Sequence, residues 1–210
     1  MSTSDWNMSS GPANWELDTA NYISAPSSLK FKGANLAYTS AILKHSISGA
    51  VREGQIVTWF MSNHLTLNDF SRNGRLVFRS KYDSTALTSC YVIHLYDTRA
   101  AWGENLNTSI MGFFHWDITL LVNTWYKIRL TWWEGYNYNN VLCTVAKLER
   151  WTGSAWIECT TSGTCSNIYD NYLYDPQRLN QGEAIQTVGL SGPFYTSYNA
   201  WFDDTIIYKA

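Results

Sequence analysis

Asn123-Thr-Trp-Tyr-Lys-Ile-Arg-Leu-Thr-Trp-Trp133 settles the fold class. Within it Tyr126, Ile128, Leu130 and Trp132 fall on one side, and Lys127, Arg129 and Thr131 on the other. Successive side chains of a β-strand point to opposite faces, so strict alternation marks an antiparallel strand with one buried face. No stretch of the chain long enough for a helix sustains a period of about 3.6 residues. Upstream, Gln55–Ser62 is apolar on both sides, with Val57, Trp59 and Met61 on one and Ile56 and Phe60 on the other. Such a strand is expected to be central, or to line an aromatic groove with its outward side.

Further strand-like runs are Ser28–Lys32, Tyr38–Leu43, Leu76–Ser80, Tyr91–Tyr96, Ser109–His115, Val141–Trp151, Ile185–Leu190 and Phe202–Tyr208. Gly, Asn, Ser and Asp separate them, and polar loops are expected over Asn63–Asn73, Thr98–Thr108 and Thr160–Gly182. Many short strands without helices predict an all-β, two-sheet antiparallel jelly-roll sandwich. Neither a repeat nor a low-complexity linker interrupts the chain, so residues 1–210 read as one domain.

Composition narrows the function. Charged residues are 15% of the chain and the net charge is -2, against about 25% charged in an average domain. Neither a nucleic-acid footprint nor a polybasic membrane patch is present in the sequence. No apolar run reaches the roughly 20 residues of a membrane span, so membrane insertion is not expected. The segment Met1-Ser-Thr-Ser-Asp-Trp6 has no basic or apolar signal region, so no secretory signal is expected within it. The expected setting is a virion surface or another extracellular surface. Aromatics make up 16% of the residues, including 11 Trp and 14 Tyr. That is more ring surface than a core needs, so some rings are expected to face partners.

Four cysteines are present. Cys159-Thr-Thr-Ser-Gly-Thr-Cys165 is a small polar loop that a disulfide could close, whereas Cys90 and Cys143 lie in apparent strands. Four free thiols are the alternative. The spacing matches no zinc pattern.

Three passages carry a resemblance. Tyr22-Ile-Ser-Ala-Pro-Ser-Ser-Leu-Lys-Phe31, Asn123-Thr-Trp-Tyr-Lys-Ile-Arg-Leu-Thr131 and Ala200-Trp-Phe-Asp-Asp-Thr-Ile-Ile-Tyr208 resemble the opening, back-sheet and closing strands of the concanavalin A-like lectin/glucanase superfamily, in its laminin-G-like branch. Some similarity to carbohydrate-binding modules of the galactose-binding type accompanies it. The resemblance implies two curved sheets with the first and last strands side by side. It also implies a structural calcium ion on an Asp of the closing strand, for which Asp203 and Asp204 are the matching residues. The alternative is that these acids hold neighbouring loops.

Enzymatic readings fare worse. A glycosidase needs two carboxylates facing one site, and the Glu-x-Asp-x-x-Glu strand motif of the superfamily's glucanases is absent. Asp203 and Asp204 are adjacent and are expected on opposite faces. A polysaccharide lyase would use Arg79, His94 and Tyr96, with Arg75 and His115 nearby, although the alginate lyase motifs are missing. The alternative is that these residues form a polar outer strand face. Sugar binding needs exposed rings that stack on the apolar face of a pyranose. The candidates are Trp102, Trp133, Tyr136, Tyr138 and Trp156, with Tyr136 and Tyr138 in the ring-and-amide loop Glu134–Asn140. The same rings could pack against protein. The expected function is therefore a non-catalytic surface module whose partners are glycans or other capsid or surface subunits. Self-assembly into a homo-oligomer would use the same surface.

Overall fold

A computed structural model describes residues 7–8, 15–32, 42–48, 52–65, 74–81, 90–103, 115–162, 168–169, 171–175, 185–192 and 198–209. In chain order the strands are β1 (Asn7–Met8), β2 (Trp15–Asp18), β3 (Ser28–Lys32), β4 (Ile42–Ser48), β5 (Gly54–Ser62) and β6 (Arg75–Lys81). Then follow β7 (Tyr91–Leu95), β8 (Arg99–Gly103), β9 (His115–Asp117), β10 (Tyr126–Tyr136), β11 (Leu142–Trp151) and β12 (Trp156–Glu158). The last are β13 (Thr161–Ser162), β14 (Ile168–Tyr169), β15 (Tyr172–Asp175), β16 (Ile185–Ser191) and β17 (Asn199–Lys209). No helix occurs among the described residues.

The strands form two antiparallel sheets. Sheet I runs β1-β4-β16-β6-β7-β8-β9-β13, and sheet II runs β14-β15-β11-β10-β5-β17-β3-β2 with β12 paired to β11. The opening strand β3 lies beside the closing strand β17, with Phe31 opposite Ala200, as the resemblance implies. Strand β5 is central, between β10 and β17.

The core follows the alternation read from the sequence. Ile128, Leu130 and Trp132 of β10 are fully buried and meet Leu76, Phe78, Tyr91, Ile93 and Leu95 from sheet I. The rings interlock across the sandwich: Phe78 lies 5.1 Å from Trp132, 5.2 Å from Tyr91 and 5.5 Å from Trp102. Close approach sets one glycine. A Cβ on Gly54 would come within 2.4 Å of Cζ2 of Trp132, so only glycine lets that ring lie under the end of β5.

Two stretches expected as loops contain strands. Arg99–Gly103 returns from β7 through the tight turn closed by Tyr96 N–H donating to Arg99 O. It sends Ala100 and Trp102 into the core. The interval 160–182 holds β13, which pairs with the distant β9, and the β14–β15 hairpin, whose β15 joins the distant β11. Residues 66–73, 104–114 and 176–184, on which other strand and loop expectations rest, lie outside the described residues.

Two β-bulges redirect side chains. On β6, Ser80 pairs with Thr187 but Val77 with Gly189, so Phe78 and Arg79 oppose Val188 alone. On β17, Asp203 pairs with Trp59 but Ile206 with Val57, so Asp204 and Thr205 oppose Thr58. Arg79 and Asp204 have φ of 47° and 45°, the left-handed backbone found at bulges and costly for non-glycine residues.

Candidate functional site

The bulge on β17 builds a site on the outward face of sheet II. Before it, Trp201 and Asp203 share the face of Trp59 and Met61; after it, the parity shifts and Ile206 and Tyr208 take that face. Tyr208 then stands opposite Gln55, and Gln55 opposite Thr131. The Gln55 Nε2 donates to Thr131 Oγ1 at 3.0 Å. Glu53, Gln55, Thr131, Trp133, Tyr208 and Lys209 line a cleft of about 380 Å³ over this row. Tyr208 is 50% exposed. Trp133 is partly exposed, and its ring meets that of Tyr172 edge-on at 5.3 Å. A Cβ on Gly135 would come within 3.1 Å of Trp133 Nε1, so the bare glycine gives the indole room over its own strand. Two rings beside an amide and a hydroxyl can hold a sugar by stacking and hydrogen bonding.

The other expected rings separate into different places. Tyr136 and Tyr138 are 64% and 62% exposed at the β10–β11 hairpin. Trp156 pairs with Trp151 at 5.4 Å, and the Arg129 guanidinium lies 4.3 Å from the Trp156 ring. Trp151 is six residues along β11 from Val145, the partner of Trp133, roughly 20 Å away at strand rise. Trp156 is therefore not part of the cleft. Trp102 corrects the expectation of an exposed ring. It is 4% exposed, packed 4.7 Å from Tyr91 and 6.4 Å from Trp116, because alternation in β8 aims it between the sheets. Tyr198 stacks on His64 at 4.0 Å.

The residues considered for a lyase are partly brought together. Arg75 stands opposite His94, His94 opposite Ala101, and Ala101 opposite His115, on the outward face of sheet I. Arg75 Nε donates to His94 Nδ1 at 3.1 Å, and Arg75 Nη1 donates to Gly192 O at 2.9 Å. Arg79 does not join them. The β6 bulge turns it into the sandwich, where it donates to Thr144 Oγ1 of sheet II at 2.7 Å. Arg75, His94 and Tyr96 are 1%, 2% and 0% exposed, so a substrate has no access to them as they stand.

Burial, and then the Arg75 guanidinium, hold the His94 pKa well below 6.5. The native imidazole therefore stays neutral where the unfolded one takes up a proton. Stability is complete above about pH 6.5 and falls on acidification, by about 1.4 kcal/mol per pH unit below that. His115, lowered by burial and Arg99 against the pull of Asp117, acts in the same direction. Denaturant titrations at pH 7.5 and 5.5 are expected to show this loss. His94→Gln, which keeps an acceptor for Arg75 Nε, is expected to remove most of it.

The two closing-strand acids hold the opening segment. Asp203 Oδ2 accepts from the N–H groups of Ile23 at 2.8 Å and Ser24 at 3.0 Å, and its Oδ1 accepts from Asp204 N–H. Asp204 Oδ2 accepts from Ser24 Oγ at 2.5 Å. The bulge thus brings both acids to one segment rather than to opposite faces. Among the described residues no His, Cys, Asp or Glu joins them in a group of three. The groups aimed at Asp203 are amide donors, so the hydrogen bonds of the two acids clamp the opening segment.

Cys159 is a free thiol, 7% exposed within the core, and burial pushes its pKa up to about 11. Cys165, with which a bridge is the expectation, lies outside the described residues. Cys90 and Cys143 are likewise buried.

No protein-family model matches the chain, and no curated protein matches it. Solved structures do. The cellulose-induced protein Cip1 aligns over 100% of this chain and 94% of its own, with TM-score 0.57 and 14% identity. The carbohydrate-binding module CBM66 from Bacillus subtilis aligns over 98% and 96%, with TM-score 0.51 and 12% identity. A PL-14 alginate lyase from Aplysia kurodai aligns over 95% and 88%, with TM-score 0.52 and 12% identity. The fold is the two-sheet jelly roll of these proteins. At these identities the likeness concerns the fold, and a jelly roll of this kind serves binders and enzymes alike.

Proposed function

We propose that this concanavalin A-like protein is a non-catalytic glycan-binding module that acts at a virion or other extracellular surface. The observation that carries the reading is the cleft where the Trp133 and Tyr208 rings flank the Gln55–Thr131 hydrogen bond. The low charge and the Ser-, Thr- and Asn-rich composition suit a displayed module. The burial of Arg75 and His94 favours binding over lyase chemistry, because a lyase arginine must touch the uronate whose proton is removed.

Retention on a broad panel of immobilised glycans tests this. Wild-type protein is expected to be retained on at least one glycan without releasing unsaturated sugar ends. Trp133→Ala and Tyr208→Ala are expected to abolish retention, and Trp156→Ala to keep it. Steady release of unsaturated products would make the protein a lyase. Absence of retention on every glycan would point instead to subunit packing through the same rings.

A further inference from the structure

The cleft is one end of a longer line. Tyr208, Gln55, Thr131 and Lys147 stand opposite one another across β17, β5, β10 and β11. The register of β11 with β15 pairs Val145 with Tyr174 and Ala146 with Leu173; continued by one step, it brings Tyr172 opposite Lys147. Five neighbouring strands therefore present one row, ring-amide-hydroxyl-ammonium-ring, on the outward face. Trp133 lies beside its middle, lining the cleft and touching Tyr172.

We infer, building on the glycan-binding reading, that this row is a track for an extended, neutral polysaccharide chain lying across the strands. Adjacent strands are about 4.8 Å apart, so the row spans about 19 Å. That spacing is close to the length of one sugar unit in an extended β-linked chain, so each strand can offer one contact to each unit. Rings at both ends and beside the middle suit a chain that shows an apolar face along its whole length. Neutrality follows from the charges. The ammonium in the row, Lys147, is already 3.5 Å from Glu149, and the cleft is lined by an acid, Glu53, as well as by Lys209. Neither arrangement favours a chain of uronates.

Calorimetry with β-1,4-linked oligomers of glucose, mannose and xylose, from one unit to about six, tests the length of the site. In at least one series affinity is expected to rise at least tenfold between the dimer and the pentamer, and then to level off. Tyr172→Ala is expected to lower the affinity for the hexamer about tenfold and to remove most of the gain between dimer and pentamer. Tyr172→Phe, which keeps the ring and its contact with Trp133, should behave as wild type and controls for misfolding. Affinity independent of chain length, yet lost in Trp133→Ala, would overturn the track and leave glycan binding standing. Absence of binding in every series, with retention on another glycan of the panel, would overturn the track alone; absence of both, or binding indifferent to Trp133→Ala, would overturn both.

Discussion

Trp132→Ala is expected to cost about 3–5 kcal/mol of folding stability, whereas Trp133→Ala, one residue on, should leave stability nearly unchanged and remove glycan retention. Trp132 is fully buried and packs on Phe78 across the sandwich. Truncating it opens a cavity beneath Gly54, whose backbone approaches the ring too closely to carry a side chain. The surrounding rings come from both sheets and cannot collapse inward together, so most of the cavity remains. In a chain of this size 1 kcal/mol corresponds to roughly 2–4 °C, so the melting temperature should fall by about 10 °C. Trp132→Phe separates packing from polarity. The indole N–H is buried and makes no hydrogen bond, so the phenylalanine should retain much of the stability. Denaturant midpoints of the three variants check this. Equal losses in Trp132→Ala and Trp133→Ala would mean that the two faces of β10 have been assigned wrongly.

The contrast between those neighbours could be read from the sequence because the alternation from Tyr126 to Trp133 has no break. The same reasoning failed at Trp102. Counting rings says how many must find a place, not which face they take, and Arg-Ala-Ala-Trp-Gly lacks the β-branched residues that mark a strand. Without a strand there is no parity to place Trp102, and ring count alone leaves it exposed. Tyr208 was missed for the opposite reason. Its strand was legible, but the bulge at Asp204–Thr205 shifts the parity of everything after it. The one local trace is that Phe202 and Ile207 both pack toward the core, which an unbroken strand forbids. Tyr172 falls in an expected loop, because β14 and β15 are only two and four residues long and β15 joins the sheet through β11, more than twenty-five residues away, so no sustained local alternation marks it. The central place of β5 was legible from its two apolar sides. The loop clamp made by Asp203 and Asp204 was foreseen only as the alternative to calcium.

Arg79 carries the second large effect. Arg79→Met is expected to destabilise the fold by about 3–5 kcal/mol, the usual result of removing one member of a buried charged group. The side chain is fully buried. It donates to Thr144 and lies 3.5 Å from Glu134 Oε1. Glu134 and Thr144 are paired across β10 and β11, and Thr144 and Asp175 across β11 and β15. Tyr91 of sheet I donates its hydroxyl to Asp175. Two carboxylates thus occupy one end of the inter-sheet layer, and Arg79 reaches one of them, Glu134, from sheet I. Met fills a similar volume but takes this cation from Glu134, and Arg52, 3.9 Å from Glu134 and mostly exposed, replaces it poorly. Arg79→Met with Glu134→Gln should therefore cost clearly less than the sum of the single changes, because the second removes the charge that the first strands. Arg79→Lys should fall between, keeping the charge but losing the planar fork that reaches Thr144 and Glu134 together. A left-handed residue with a Cβ costs about 1–2 kcal/mol, and Arg79→Gly would relieve that cost. If bridging the sheets is what holds the bulge, the glycine variant must nonetheless be less stable than wild type. A glycine variant as stable as wild type would mean that the backbone, and not the guanidinium, sets the bulge.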